Sequence, residues 1–235
     1  MSTATWASNA WVWVVSFKRL DIAAPDLPAL LTKERPILFR GEMVRAILEG
    51  RKTQTRRVVK GSPAECFPMK GRDNRPDGTF FVSRPDSDRV GNSGVQCPYG
   101  KPGDRLWVRE TWGLQTYGDE SDWYDGSIAG LSESDVRGRW EVTHRADWGP
   151  RQDGCVWRPS IHMPRWACRL VLEVTDVRVE RLQDISEEDA KAEGIRHVDY
   201  GANAHGWTGT DESVLHNAPS HAFRSLWESI HGGGP

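Results

Sequence analysis

The sequence predicts an α+β domain: a small, partly closed barrel of antiparallel strands with short flanking helices and long loop insertions. Three observations carry this. Hydrophobic residues are only 37% of the chain and the mean hydropathy is -0.61, so the core is modest. There are 23 glycines and 14 prolines among 235 residues, which places much of the chain in turns and loops. The apolar segments are mostly short and strand-like, and closure or partial closure is the natural way to bury such strands without free edges.

The elements follow in order. Residues 1–35 read as an N-terminal extension, holding the apolar run Trp11-Val12-Trp13-Val14-Val15 and then a Pro-interrupted stretch from Ile22 to Leu31. This extension could pack on the body or derive from an upstream start. Residues 36–235 read as a single domain with insertions near 61–100, 113–160 and 197–220. Ile37-Leu38-Phe39 is a short buried strand. Met43, Val44, Ile47 and Leu48 form a helical stripe over 42–49, and Gly50 stands where a left-handed cap is expected. Thr53 to Val59 is rich in β-branched residues and reads as a strand, as does Thr79-Phe80-Phe81-Val82. After the turn Lys101-Pro102-Gly103-Asp104, residues 105–110 alternate polar and apolar. Trp166 to Leu182 is the longest β-like run. Within it Leu170, Leu172 and Val174 hold one phase, and Val177 and Val179 resume the alternation. Ser186 is an expected N-cap with Asp189 as capping partner, and that helix ends at Gly194. A last amphipathic helix spans His221 to Ile230, with Phe223, Leu226, Trp227 and Ile230 on one side.

Composition narrows the function classes. The net charge of -2 argues against a protein that grips long duplexes through phosphates, though it allows a local basic patch. The twelve tryptophans outnumber Phe and Tyr together, so both packing and base-stacking roles are open to them. Cys66, Cys97, Cys155 and Cys168 form no C-x-x-C pair and have no histidine at zinc-finger spacing. They read as free thiols of a reducing cytoplasm, with a structural metal as the minor alternative. The apolar run at 11–15 is too short to span a membrane, and no basic residue precedes it as in a signal peptide. A cytoplasmic protein with no membrane partner is expected.

No P-loop, H-E-x-x-H, G-x-S-x-G or dinucleotide fingerprint occurs. The conspicuous cluster is Arg51-Lys52-Thr53-Gln54-Thr55-Arg56-Arg57, four cations in seven residues. It fits a solvated basic turn, a phosphate grip or a catalytic pair. A threonine hydroxyl is a weak nucleophile until a neighbouring base takes its proton. Lys52 can be that base for Thr55 if burial and the nearby arginines depress its pKa. Strand alternation would separate the two, but a turn after Gly50 removes that parity. A carboxylate is needed beside them, and Glu42, Glu110, Glu173 and Glu193 are candidates.

Three ordered motifs carry a resemblance. They are Phe39-Arg40-Gly41 through Gly50-Arg51-Lys52-Thr53-Gln54-Thr55-Arg56-Arg57, then Gly103-Asp104-Arg105-Leu106-Trp107-Val108-Arg109-Glu110, then Trp166 through Thr175 with Asp184 to Ala190 and Glu193-Gly194. Together they resemble ASCH-domain proteins of the phage-associated type, over about residues 36–196 and the final helix. The resemblance implies a PUA-like β-barrel whose cleft is lined by the first helix and the barrel mouth. It also resembles the bacterial N4-acetylcytidine amidohydrolases. Carried over by motif, their Lys falls on Lys52, their Thr on Thr55 and their Glu on Glu193. The implied activity is removal of the acyl group from N4-acylated cytidine or deoxycytidine, without cofactor or metal. Arg51, Arg56, Phe39, Trp107 and Glu110 are the expected substrate-binding residues, and Trp112 is a further candidate for stacking. The expected partner is a small nucleoside. The alternatives are a non-catalytic module binding RNA or a modified base, and a ribonuclease. The three insertions depart from a minimal amidohydrolase and could enlarge or cover the pocket.

Overall fold

The structure is a computed structural model that describes residues 5–20, 33–60, 67–68, 79–83, 94–116, 126, 131–136, 138–148, 156–201, 205–209 and 213–231. In chain order these form β1 (Trp11–Leu20), β2 (Glu34–Leu38), α1 (Gly41–Leu48) and β3 (Gln54–Val58). Next come β4 (Phe67–Pro68), β5 (Thr79–Ser83), β6 (Gly94–Gln96), β7 (Arg105–Arg109), β8 (Trp112–Thr116), α2 (Glu133–Val136) and β9 (Trp140–His144). The chain continues with β10 (Val171–Arg181), α3 (Glu187–Ala192), β11 (Arg196–Asp199), β12 (His205–Thr208) and α4 (Pro219–His231). The molecule is mostly sheet with a few short helices, which is the expected α+β class.

The main sheet has the order β2-β7-β10-β1-β3. It is antiparallel apart from the β2–β7 pair, which is parallel. No strand pairing among the described residues joins β2 to β3, so the sheet has two edges and is not a closed barrel. One side-chain link crosses between them: Arg57 donates Nη2 to the Leu38 carbonyl at 2.7 Å.

β1 lies within the segment that the sequence sets apart as an extension, one able to pack on the body. The residues read as part of an extension form a strand flanked on both sides, by β10 and β3. Alternate residues of β1 point to opposite faces. Trp13, Val15 and Phe17 enter one apolar cluster with Ile37, Phe39, Val44, Ile47 and Leu172. Val12 and Val14 enter a second with Leu182, Ala190, Phe223 and Trp227. A strand covered on both faces needs no polar alternation, so its continuous apolar run is what such a position selects. The Pro-interrupted stretch of the expected extension, Ile22 to Leu31, lies wholly outside the described residues.

β10 carries a bulge. Ser16 faces Asp176 and Phe17 faces Val174, which leaves Thr175 as the extra residue. Without it the side-chain parity would carry Val177 to the wrong face. With it Leu172, Val174 and Val177 all enter the same core.

The insertions carry structure of their own. β8 pairs with β9, and β11 with β12. β4, β5 and β6 make a small sheet within the 61–100 region. β8 heads a third cluster, in which Trp112 and Leu114 are fully buried with Met163 and Ala167. Cys97 is buried in the main core, and burial pushes its thiol up to about 11. Cys97 and Cys168 are free; Cys66 and Cys155 lie outside the described residues. No described helix is long and apolar enough to cross a membrane.

If β1 is integral, Trp13→Ala should cost about 3–5 kcal/mol of stability, as truncation of a buried aromatic does. Urea unfolding will measure it, with Ile161→Ala as the control. Ile161 is 59% exposed, so its truncation should change stability by less than about 0.5 kcal/mol.

Candidate functional site

The site is built where α1 ends. Gly50 takes φ +75°, a left-handed turn that suits glycine. The chain folds back so that the N–H groups of Arg51 and Lys52 both donate to the Ala46 carbonyl at 2.9 Å. Thr53 N–H then donates to the Ala192 carbonyl at 2.8 Å, and Lys52 forms an isolated β-bridge with Glu193. Lys52 therefore lies outside β3, and the strand parity that would oppose it to Thr55 does not apply.

Glu193 is delivered from the other direction. Ser186 caps α3 by accepting from Asp189 N–H at 3.1 Å, as expected from the sequence. The helix ends at Glu193, and Gly194 follows at φ +99°. A side chain at Gly194 would also come within 3.2 Å of Ala46 Cβ and 3.3 Å of Lys52 Cβ, so the close approach of the two segments needs glycine there.

The Lys52 side chain is 1% exposed and that of Glu193 4%. Lys52 Nζ donates to Glu193 Oε2 at 2.7 Å and to the Glu193 carbonyl at 2.8 Å. Burial pushes the Lys52 ammonium below its ordinary range. The Glu193 carboxylate opposes that shift, and the positive charges of Arg57 and Arg56 add to it.

β3 sorts its residues by face. Thr55 and Arg57 stand opposite Val15 and Trp13, whereas Gln54 and Arg56 stand opposite Ser16 and Val14. The Arg56 side chain is fully buried and reaches three carboxylates: Asp189 at 3.0 Å, Glu180 at 3.1 Å and, more loosely, Glu193 at 3.4 Å. Arg178 also binds Asp189 at 2.8 Å, and it contacts Glu180. Burial alone would raise the Asp189 pKa, but the Arg178 hydrogen bond and the charges of Arg56 and Arg178 bring it below the usual value. On the other face the Arg57 guanidinium lies 5.2 Å from the Phe39 ring centre.

A cavity of about 210 Å³ opens between the facing edges of the sheet. Phe39, Thr55, Arg56, Arg57 and Glu193 line it from the sheet side, and α4 adds Phe223, Trp227 and His231. Among the described residues no hydrogen bond holds the Thr55 hydroxyl. The structure thus brings Thr55, Glu193, Phe39 and Arg56 to one cavity, with Lys52 directly behind Glu193. Lys52 makes no hydrogen bond to Thr55; its contacts go to Glu193.

Three expected substrate-binding residues stand elsewhere. Arg51 faces a second cavity of about 340 Å³ and is tied to the Gly194 carbonyl at 2.8 Å and to Glu49 at 2.6 Å. Trp107 on β7 has the guanidiniums of Arg109 and Arg165 over its ring, at 5.2 and 6.0 Å. Glu110 is buried and held by Arg169 through two hydrogen bonds of 3.0 and 3.1 Å. Neither Trp107 nor Glu110 lines either of these cavities. Trp112, the other stacking candidate, is core.

The residues the sequence reading missed are on α4. Trp227 and His231 stand one turn apart with ring centres 4.2 Å apart. Burial, then the charges of Arg57 and Arg40, hold the His231 imidazole below its usual pKa. The signal was the end of the apolar stripe of the last helix, which reads equally as core. The described residues contain no group of His, Cys, Asp and Glu that could hold a metal. No protein-family model matches the chain, and no curated protein or solved structure matches it.

Removing Lys52 would leave Glu193 buried with only the looser Arg56 contact. Lys52→Ala should therefore cost about 3–5 kcal/mol, while Lys52→Met combined with Glu193→Leu recovers most of it. Urea titration of the three proteins checks this. The pH dependence has a definite sign. The folded pKa of Lys52 lies below the unfolded value, so the unfolded chain binds more protons between the two. The contribution of Lys52 to stability should rise as pH climbs through that window towards about 10.4. Stability of wild type relative to Lys52→Met, followed by denaturant titration across alkaline pH, reads that rise.

Proposed function

We propose that this chain is an amidohydrolase of the ASCH, PUA-like kind, removing the acyl group from N4-acylated cytidine or deoxycytidine. The observation that carries the reading is the buried Lys52–Glu193 pair at 2.7 Å, with Glu193 and Thr55 opening onto one aromatic-lined cavity. Lys52 and Glu193, 141 positions apart, meet through a hydrogen bond, and Glu193 shares the cavity lining with Thr55, which supports the reading.

In this reaction the pyrimidine enters the cavity against Phe39 and Trp227. The Lys52–Glu193 pair, acting as a unit, takes the Thr55 hydroxyl proton as Oγ1 attacks the acyl carbonyl carbon. The C–N4 bond breaks, the pair returns the proton to N4, and cytidine leaves with the acyl group on Thr55 as an ester. Water then attacks the ester, its proton passes to the pair and on to Thr55 Oγ1, and the carboxylic acid departs. Burial lowers the Lys52 pKa, so its ammonium gives up a proton more readily than that of an exposed lysine. Arg51 is turned towards the second cavity, so it is a poor oxyanion donor. Antiparallel alternation points the Arg56 N–H away from β1, and this backbone group beside Thr55 is the better candidate.

A second reading has one observation in its favour. Lys52 makes its hydrogen bonds to Glu193, and among the described residues none holds the Thr55 hydroxyl, as in a binding module for a modified base.

Incubation with N4-acetylcytidine should convert its ultraviolet spectrum to that of cytidine. Thr55→Ala should remove turnover, and Glu193→Gln should lower kcat by about 10²–10⁴-fold. Absence of turnover with any N4-acylcytidine, together with tight binding of the base, would establish the binding module instead.

A further inference from the structure

The mouth of the cavity gathers positive charge that the acyl-transfer chemistry does not use. Arg40 lines it, is exposed, and makes no hydrogen bond or ion pair with any described residue. Arg57 donates Nη2 to the Leu38 carbonyl and leaves its Nε buried without a partner. His231 completes the group on the α4 side, close enough for both guanidiniums to depress its pKa. Arg40 is also the N-cap of α1 and makes no side-chain cap there, while Glu42 in the first turn offsets part of the positive end of the helix.

Nothing lining the cavity balances this. Among the described residues that line it, Glu193 is the only carboxylate, and it is already shared by Lys52 and Arg56. Two guanidiniums held together without an anion repel one another, and the imidazole beside them gives up its proton more readily than an ordinary one. Such an arrangement becomes favourable when a doubly charged anion enters. Arg is well suited to phosphate because its planar fork donates two parallel hydrogen bonds.

We propose that Arg40, Arg57 and His231 form a phosphate subsite, and that the molecule taken into the cavity is a pyrimidine nucleoside monophosphate rather than a neutral nucleoside. The base and its N4 substituent lie inside, and the phosphate stays at the mouth. This rests on reading the cavity as a pyrimidine site. A mononucleotide fits better than a polymer because the cations gather at one mouth and the chain as a whole carries a net charge of -2.

The test is calorimetric binding of unacylated ligands, so it does not depend on hydrolysis. Cytidine, cytidine 5′-monophosphate, inorganic phosphate and a short single-stranded RNA are titrated into wild type, Arg40→Met and His231→Gln at low salt. The monophosphate should bind wild type roughly tenfold or more tightly than cytidine, as one or two charge-assisted hydrogen bonds allow. That ratio should fall towards one in Arg40→Met, and fall measurably in His231→Gln. Arg40 is exposed, so its replacement does not threaten folding. Equal affinities for cytidine and the monophosphate in wild type would overturn the phosphate subsite. So would a preference that both variants retain, or inorganic phosphate that binds all three proteins alike. RNA that binds wild type more tightly than the monophosphate would overturn the mononucleotide in favour of a polymer. Monophosphate selectivity without turnover of any acylated substrate would uphold the subsite and defeat the amidohydrolase reading alone.

Discussion

Lys52 and Glu193 are both buried, and neither charge is tolerable there alone. Desolvating a single ammonium or carboxylate costs several kcal/mol, so each needs the other at hydrogen-bonding distance. That requirement fixes much of the geometry around them. The turn at Gly50 must return Lys52 to the foot of α1, and Gly194 must let the end of α3 approach it. Thr53 and Lys52 then tie β3 to that end through backbone contacts. Arg56 extends the same network to Asp189 and Glu180, and so fastens β3 and β10 to α3. A hydrophobic pair of similar shape would hold these elements at least as well. Retention of an ion pair at this position is therefore more readily understood as chemistry than as stability.

The cavity follows from the open sheet. Among the described residues β2 and β3 are edges with no strand between them, and unpaired edges are usually covered or blocked. Here the Arg57 link to Leu38 and the apolar side of α4 do the covering, and the space left over is lined by rings and cations. The main sheet thus supplies a nucleophile candidate from an edge strand, while α4 supplies the aromatic wall. Neither part alone makes a site.

Much of the local structure was legible because local rules act over a few residues. The caps at Gly50, Ser186 and Gly194 stand where the sequence placed them, and the last helix differs only at its ends. The bulge at Thr175 is visible as the shift in apolar phase between Val174 and Val177. The apolar run of β1 reads as strand-like, but its place in the sheet was not legible: burial on both faces erases the alternation that tells which face a strand presents. Trp227 and His231 were missed because a stripe that lines a small cavity has the same spacing as one that packs a core. The Lys52–Glu193 contact spans 141 residues, so no periodicity could reveal it, and only the resemblance pointed there. Trp107, Glu110 and Arg51, expected from their chemistry, have side chains engaged elsewhere.

The central claim is that the buried pair exists to make Thr55 a nucleophile. The most direct measurement is peptide mass spectrometry of the enzyme after rapid acid quenching during turnover of N4-acetylcytidine. The account expects an acetyl group on the peptide containing Thr55, present during turnover and lost once substrate is exhausted. Cytidine released at full rate with no acetyl ever found on Thr55 would contradict it, and would make water, not the threonine, the attacking group.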